Sequence, residues 1–534
     1  MKDAGGYRER GLSKSIDWKL VITYLVLIVI GWVNIYASIH SSEPESIFDL
    51  SSRSGKQFIW MMSSLGIAGF ILFVLSPRVY EGLSLPIYLF TLGLLVAVIF
   101  LGIEVKGSRS WFEFGEIRFQ PAEISKISTS LMLATVMSQL GYRIGRAKDF
   151  ILTALIILVP MGIIIAQSET GSALVYVGFI FMLYREGLSG WLIFMMGMAI
   201  LLFILTLTCS PFTAILVLAA VTSFCISLYT GRIRRWLMIG LPLIILTAFI
   251  PKTIDGLNES HATVCASMEI FENTIADAVP QSPGAVMDIV EVATPETVEA
   301  VEELTETEEG GILSKIKPLY ILLGGILIAL PLMFFNAYRD RSRFAFLAIL
   351  SQVAGIALVF SADFIFNSVL QDHQRKRIEV LLGMKEDPAG IGYNVNQSMI
   401  AIGSGGLFGK GYLNGTQTTY GFVPEQSTDF IFCTIGEEWG FVGSCAVILL
   451  YVFLIYRIIC NAERSRESFT RIYGYCVACC IFMHLFINIG MTIGLMPVIG
   501  IPLPYISYGG SSLWGFTAML FIFIALDRNE KKYF

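Results

Sequence analysis

Charge is scarce in this chain, and the scarcity excludes more than any single motif does. Asp, Glu, Lys and Arg make up 15% of 534 residues, against 55% hydrophobic residues and a mean hydropathy of +0.70. Soluble globules carry about 25% charged residues, so that class is excluded. Strict polar–apolar alternation is missing from the long apolar runs, which excludes a membrane β-barrel. Cysteine pairs are nearly absent too. Of nine cysteines only Cys476 and Cys479 form a CxxC, inside an apolar run with no second pair to complete a zinc site. Cys225, Cys445, Cys460 and Cys480 also lie in apolar runs, where a thiol behaves as a small hydrophobe. The opening MKDAGGYRERGLSKSIDWK is too long and polar before its first apolar run for a cleavable signal, so 1–17 reads as a cytosolic tail. With a net charge of −5, no nucleic-acid partner is expected.

What is present is apolar helix. Runs long enough to cross about 30 Å of hydrocarbon recur near 18–39, 58–76, 84–103, 125–140, 150–166, 171–184, 189–208, 211–229, 236–250, 318–336, 344–361, 429–456, 472–495 and 504–526. The expected fold is therefore an all-α polytopic membrane bundle of about fourteen spans. With the N-terminus inside, the arginine-dense short loops all fall inside: Arg143/Arg146, Arg185, Arg232/Arg234/Arg235, Arg339/Arg341/Arg343 and Arg457/Arg464/Arg466/Arg471. The C-terminal tail, 527–534, is also inside. Three long segments then lie outside: 104–124, the Glu/Thr/Val/Pro-rich 251–317, and 362–428. The acidic 251–317 has the composition of a solvated surface loop. Segment 362–428 differs from it. It is rich in Gly, Gln and Asn, and it runs directly into a helix bearing acids.

That junction carries the chemistry. Asp429, Glu437 and Glu438 stand at the lip of, or inside, an apolar span, where a carboxylate costs about 2.5–3.5 kcal/mol even on lenient scales. Asp429 either caps the helix, as the preceding PEQST suggests, or faces a polar cavity as a general base. Glu437 falls about 12 Å deeper and about 80° round the helix. Upstream, Gln374-Arg375-Lys376-Arg377 is a basic cluster on the side where arginine is disfavoured. Lys410 stands between two glycines that let backbone amides approach an anion. Both suit a phosphate or diphosphate at the membrane surface. Lys106, Arg109 and Arg118 extend that basic rim. Glu123 and Lys126, at i and i+3, share one helix face and form a salt bridge in this reading. Glu169 lies in a polar QSETGS turn. Gly494–Ser512, which includes Ser507 and Gly509, is a proline- and glycine-broken segment at membrane depth.

These residues resemble the shape, elongation, division and sporulation (SEDS) family of polytopic bacterial proteins. The blocks KGSRSWFEFGEIRFQPAEISK, QSETGS, GYNVNQSMIAIGSGGLFGKGYLNGTQ, FVPEQSTDFIFCTIGEEWGFVG and GLMPVIGIPLPYISYGGSSL occur in that family's order. GSGGLFGKG followed by GTQ is closer to the rod-shape branch. The resemblance implies a peptidoglycan glycosyltransferase of the bacterial cytoplasmic membrane that polymerises lipid II during elongation. It implies a class B penicillin-binding protein as partner. A lipid II flippase and a non-catalytic scaffold are the rival classes. The family's essential aspartate falls on Asp429, and its paired acid and lysine on Glu123 and Lys126. Candidate substrate contacts are Arg109, Arg375, Arg377, Lys410, Gln417, Ser427 and Thr428. Candidate cavity-structuring residues are Glu123, Lys126, Glu169, Glu437, Glu438, Ser507 and Gly509. No sequence motif forms a cage for a divalent cation; Mg2+ or Mn2+ is a possible helper at the diphosphate. Departures are Ser110 where an arginine usually precedes the tryptophan, Ser168-Glu169 for a proline–aspartate, and Ser427 for a histidine. The family usually has ten spans. The expected plan is thus SEDS-like helices at 18–208 and 429–526, an inserted segment of about four helices at 209–361, and an active-site loop at 362–428.

Overall fold

The computed structural model describes residues 16–39, 46–230, 318–382, 384 and 391–532, apart from 106, 116, 210, 340, 342, 365, 367, 369 and 371. The expected span 236–250, the acidic 251–317 and Lys106 lie outside the described residues. Every other expected span overlaps helix, the sixth in two pieces. Among the described residues, nine helices are long and apolar enough to cross a membrane. The protein is a multi-pass membrane protein.

The chain divides into two compact units, residues 1–193 with 372–534 and residues 194–371. The first begins with α1 (Trp18–Ile39), α2 (Arg53–Phe73) and α3 (Pro77–Leu101), followed by α4 (Pro121–Met137) and α5 (Ala147–Ala166). The expected sixth span is broken at Gly178 into α6 (Thr170–Val177) and α7 (Phe179–Arg185). Next come α8 (Gly190–Thr208) and α9 (Pro211–Thr230), then α10 (Pro318–Arg339) and α11 (Arg343–Phe364). In the second unit these last helices pack through Leu202, Ala214, Ile215, Leu218, Ile326 and Val359. Gly355 lies against Leu218 and Leu202, where a methyl group would collide. The chain returns to the first unit with α12 (Asp372–Leu381), α13 (Ile391–Ser404) and α14 (Thr416–Thr419). It ends on α15 (Ile431–Arg464), α16 (Ser468–Thr492) and α17 (Gly510–Lys532).

Two departures from the expected organisation bear on the site. Segment 104–124 is not a plain loop. It holds an antiparallel meander of β1 (Ile103–Val105), β2 (Ser108–Phe114) and β3 (Ile117–Phe119). Gly107 and Gly115, both at positive φ, make its turns. Hydropathy windows pass over strands this short, although the Trp and Phe residues of SRSWFEF favour strands. Likewise 362–428 is not a plain loop: it holds three helices, α12, α13 and α14, with a glycine-rich turn between the last two.

Burial sorts the first unit into core and periphery. α16 and α17 are each 78% buried over their apolar windows, whereas α3 and α5 are 28% buried and present apolar faces outward. α4 is buried along nearly its whole length. Lipid is as apolar as leucine, so close backbone approach and hydrogen bonds hold such helices together. Gly31 of α1 abuts the Tyr505–Ile506 backbone, and Gly474 of α16 meets Phe523 and Ala462. The Tyr24 hydroxyl, from α1, bonds Ser64 of α2 at 3.2 Å and Thr517 of α17 at 3.0 Å.

Candidate active site

Asp429 lies just before α15, not within it. The helix begins at Ile431 with Phe430 as its N-cap and no side chain capping it, so neither Thr428 nor Asp429 serves as that cap. The turn is held by its backbone instead. Three consecutive carbonyls each accept from a different residue of the C-terminal elements. Tyr508 N–H donates to Ser427 O at 2.9 Å, Ser507 Oγ to Thr428 O at 2.6 Å, and Asn488 Nδ2 to Asp429 O at 2.8 Å. Asn488 also donates to Ile501 O at 2.7 Å, so one buried amide ties the Asp429 turn to the broken segment 494–512. Gly500 of that segment faces the Asp429 carboxylate. A Cβ there would stand 3.2 Å from Oδ2, and its φ of +76° also favours glycine.

Two arginines reach this turn. Arg377 of α12 is partly buried and interacts electrostatically with Asp429. Desolvation lowers the Arg377 pKa from its ordinary value, and the Asp429 charge opposes that shift. Arg53, the first residue of α2, donates from Nη1 to the fully buried Ser427 Oγ at 2.6 Å. Gln57, one turn on, accepts the Gly509 N–H at 3.4 Å. Arg375 is turned along its own helix to Glu379 at 3.5 Å.

Lys410 has a different engagement. Its ammonium lies 2.7 Å from Glu437 Oε1 and 2.7 Å from Thr416 Oγ1. Glu437 is fully buried and also accepts from the N–H groups of Gln417 and Thr418, each at 2.9 Å, and from Thr418 Oγ1. This carboxylate organises the glycine-rich loop, and the loop in turn repairs a break in α15. At Gly440 the backbone turns to φ +67° and ψ −162°, which uncouples the carbonyls of Glu437 and Glu438 from their usual i+4 partners. The loop supplies replacements. Lys410 and Gly411 N–H donate to Glu437 O and Glu438 O at 3.0 Å, while Phe441 and Val442 N–H donate to Gly406 O and Leu407 O at 2.9 and 3.1 Å. Four backbone groups freed at the kink are thereby paired rather than left orphaned in the apolar phase. Glu438 is buried beside Tyr412 and the Leu413 backbone, with no lysine or arginine paired to it among the described residues.

A second polar cluster is closed on itself. Glu123 and Lys126 of α4 form the expected i,i+3 pair at 2.8 Å, with side chains 3% and 0% exposed. Lys126 also contacts His484 Nε2 at 2.8 Å and sits 5.1 Å from the Phe516 ring centroid. His484 Nδ1 faces Pro502 O at 3.1 Å. That carbonyl can only accept, so Nδ1 carries the proton and Nε2 accepts a hydrogen bond from the Lys126 ammonium. Nearby, Glu169 accepts from Gln120 Nε2 and from Ser172 Oγ at 2.5 Å, with Ser110 of β2 also bonded to it. Burial of this carboxyl pushes its pKa up to about 7, with the Ser172 and Ser110 bonds opposing the rise.

The structure thus brings Arg377, Ser427, Thr428, Asp429, Ser507 and Gly509 together. Arg109 pairs instead with Glu104 across the β1–β2 hairpin at 3.4 Å, both side chains exposed. Gln417 contributes its backbone N–H to Glu437. Arg53, His484, Asn488 and Gly500 were not singled out from sequence. His484 and Asn488 did leave a signal, since they are polar residues four apart within an apolar span. Among the described residues, no group of three or more His, Cys, Asp or Glu side chains gathers to hold Mg2+ or Mn2+.

The family model described as cell cycle protein (FTSW_RODA_SPOVE) matches residues 17–248 and 301–532. The chain belongs to this family. The match passes over 249–300, a stretch that includes most of the acidic segment, and resumes beyond it. A relative from Treponema pallidum (strain Nichols), peptidoglycan glycosyltransferase RodA, is 29% identical over 98% of this chain and 100% of its own. Peptidoglycan glycosyltransferase MrdB of Escherichia coli (strain K12) is 27% identical over 90% of this chain and 89% of its own. Stage V sporulation protein E of Bacillus subtilis (strain 168) is 38% identical, but over only 34% of this chain and 47% of its own. In fold, the chain is similar to one solved in work described as "Structural coordination of polymerization and crosslinking by a peptidoglycan synthase complex". The TM-score is 0.54 at 21% identity, covering 96% of this chain and 98% of the other.

Proposed function

We propose that this protein is a peptidoglycan glycosyltransferase of the rod-shape branch, joining lipid II disaccharide units into glycan during elongation. Two whole-length relatives bearing that activity in their names support the reading. The observation that carries the mechanism is the Asp429 turn. Its three carbonyls are clamped, and Arg377 interacts electrostatically with its carboxylate. In the proposed reaction the 4-hydroxyl of the acceptor's N-acetylglucosamine attacks C1 of the donor's N-acetylmuramic acid. Asp429 takes the hydroxyl proton as the new C–O bond forms. The C1–O bond to the diphosphate breaks, and undecaprenyl diphosphate leaves with the electron pair. Arg377, with Arg375 on the same helix, offsets the charge that develops on the leaving group. Thr428 and Gln417 border the acceptor. Lys410, engaged with Glu437, keeps the glycine-rich loop in place beside the diphosphate.

The termini lie in the cytosol and the Asp429 turn outside, an orientation supported by the arginine-rich short loops. A class B penicillin-binding protein would cross-link the product. The test is purified protein with that partner, supplied with lipid II and scored for glycan polymer. Wild type makes polymer and Asp429→Ala does not. Unchanged polymerisation in Asp429→Ala refutes the base. Translocation of lipid II in liposomes with no polymer at all would make the protein a flippase.

A further inference from the structure

Within the second unit, a groove of about 550 Å³ runs along the α10–α11 hairpin. Leu327, Phe334, Phe335 and Tyr338 of α10 line it, with Ile349 and Val353 of α11. The α10 residues recur at helical spacing and so form one stripe. The Tyr338 hydroxyl is the one polar side-chain group of the lining. Phe334 meets Phe346 across the hairpin, with ring centroids 5.6 Å apart, and this contact joins the two helices. Leu327, Phe335 and Tyr338 stay exposed. Water gains little from such a surface, so the groove suits hydrocarbon.

The length of the groove narrows the occupant. Tyr338 stands eleven residues after Leu327, about 16 Å along the helix at about 1.5 Å per residue. That is about half of the roughly 30 Å hydrocarbon core, the depth of one leaflet. A partner's transmembrane helix would call for a seam through the full thickness, whereas an acyl chain needs only its own leaflet. The groove also ends on charge. Tyr338 is followed by Arg339-Asp340-Arg341-Ser342-Arg343, three cations to one acid. Arg339, Arg341 and Arg343 are all exposed, and among the described residues none of the three forms a salt bridge. The positive-inside bias accounts for arginines in such a loop. Other arginines of the short loops are nevertheless engaged within the protein. Arg185 pairs with Glu463 at 2.6 Å, Arg471 with Glu186 at 3.0 Å, and Arg457 with Asp17. An apolar groove one leaflet deep, ending at exposed guanidinium groups, is complementary to a lipid with an acyl chain and an anionic headgroup.

We propose that the α10–α11 hairpin binds one anionic phospholipid, with an acyl chain in the groove and the phosphate held by Arg339, Arg341 and Arg343. The bound lipid completes the packing of a hairpin whose own helices leave the groove unfilled. The assignment is independent of the glycosyltransferase reading.

The experiment places the full chain in nanodiscs of equal parts phosphatidylcholine and phosphatidylglycerol. Lipids retained on transfer to detergent are counted by native mass spectrometry, and folding is read by thermal midpoint. Wild type should retain phosphatidylglycerol in preference to phosphatidylcholine. Changing Arg339→Gln, Arg341→Gln and Arg343→Gln together should lower that retention about 5-fold per arginine, the effect of one cation beside an anionic headgroup. The corresponding triple change to lysine should restore most of it, because charge is what attracts the headgroup. Arg339→Gln alone serves if the triple glutamine variant does not fold. Val353→Trp, which fills the groove and leaves the arginines in place, should also lower phosphatidylglycerol retention. With p-benzoylphenylalanine in place of Phe335, illumination of native membranes should cross-link the chain to lipid. Equal retention of the two lipids by wild type overturns the proposal, since the groove would then hold only bulk lipid. Unchanged retention in the folded glutamine variant removes the arginines from the site. Unchanged retention in Val353→Trp, with loss in the glutamine variant, leaves headgroup attraction alone and overturns the groove. Cross-linking at position 335 to a protein instead of lipid overturns it too, because the groove would then be a seam for a partner helix.

Discussion

The Glu123–Lys126–His484 cluster and the Asp429 turn are both built from ionisable groups in an apolar protein, yet they are finished differently. In the first, acid, ammonium and imidazole pair with one another and with a carbonyl, and the lysine is 0% exposed. In the second, the backbone is clamped at three carbonyls while Arg53 remains exposed. A closed network lowers the cost of burial and leaves nothing for a ligand. A clamped turn with a half-buried acid fixes geometry and keeps its chemistry available. The first arrangement suits stability and the second suits reaction.

That contrast can be broken at several points. The largest effect is expected at Asp429. Asp429→Asn should lower the polymerisation rate about 10²- to 10⁴-fold, the range for a lost general base, with the thermal midpoint in detergent unchanged. A large drop in midpoint would place Asp429 with the structural cluster instead. Lys126→Met should show the reverse pattern. Stranding Glu123 in the core should destabilise the fold by about 3–5 kcal/mol, and adding Glu123→Gln should recover much of it, as measured by denaturant unfolding. If the single and double variants are equally unstable, the pair is not the source of the effect.

Gly440→Ala is expected to cost about 1–3 kcal/mol. Its φ of +67° disfavours a side chain, and the new methyl would meet the backbone of Gly409 and Leu407. Loss of protease protection in the 405–411 loop would report it, and an intact loop would argue that the helix break is not what docks the glycines. The smallest effect concerns Glu169. Its carboxyl, held at about 7 against an ordinary 4.5, keeps a proton in the folded state that the unfolded chain has released. Stability should therefore fall as pH rises from about 4.5 to about 7, and level off above that. Glu169→Gln should flatten this slope in thermal midpoints measured between pH 5 and pH 8. An unchanged slope would assign it to another group.

Much of this was legible in the residues. The continuous apolar runs located the helices because hydrocarbon tolerates little else. The i,i+3 spacing of Glu123 and Lys126 located the salt bridge, since neighbouring turns of one helix bring such side chains together. The acids at the junction of 362–428 and α15 marked the candidate site. Less legible was how each acid is used. Asp429 and Glu437 look alike as carboxylates near a span. One ends a clamped turn outside the helix, and the other is buried among Lys410, Gln417 and Thr418. The short strands of 103–119 escaped notice because a hydropathy window is longer than they are.

The sequence by itself determined the class, the spans and the order of the polar blocks, because these depend on local composition and on the length of chain needed to cross a bilayer. Only the tertiary structure decided the partners that are distant in the chain. Lys410 went to Glu437, Lys126 to His484 beside its expected Glu123, Arg377 to Asp429, and Arg53 to Ser427, 374 residues away. Such pairings depend on helix packing across the bundle. A charge in a low-dielectric interior interacts strongly with whatever lies within a few ångströms, however far away that group is in the chain.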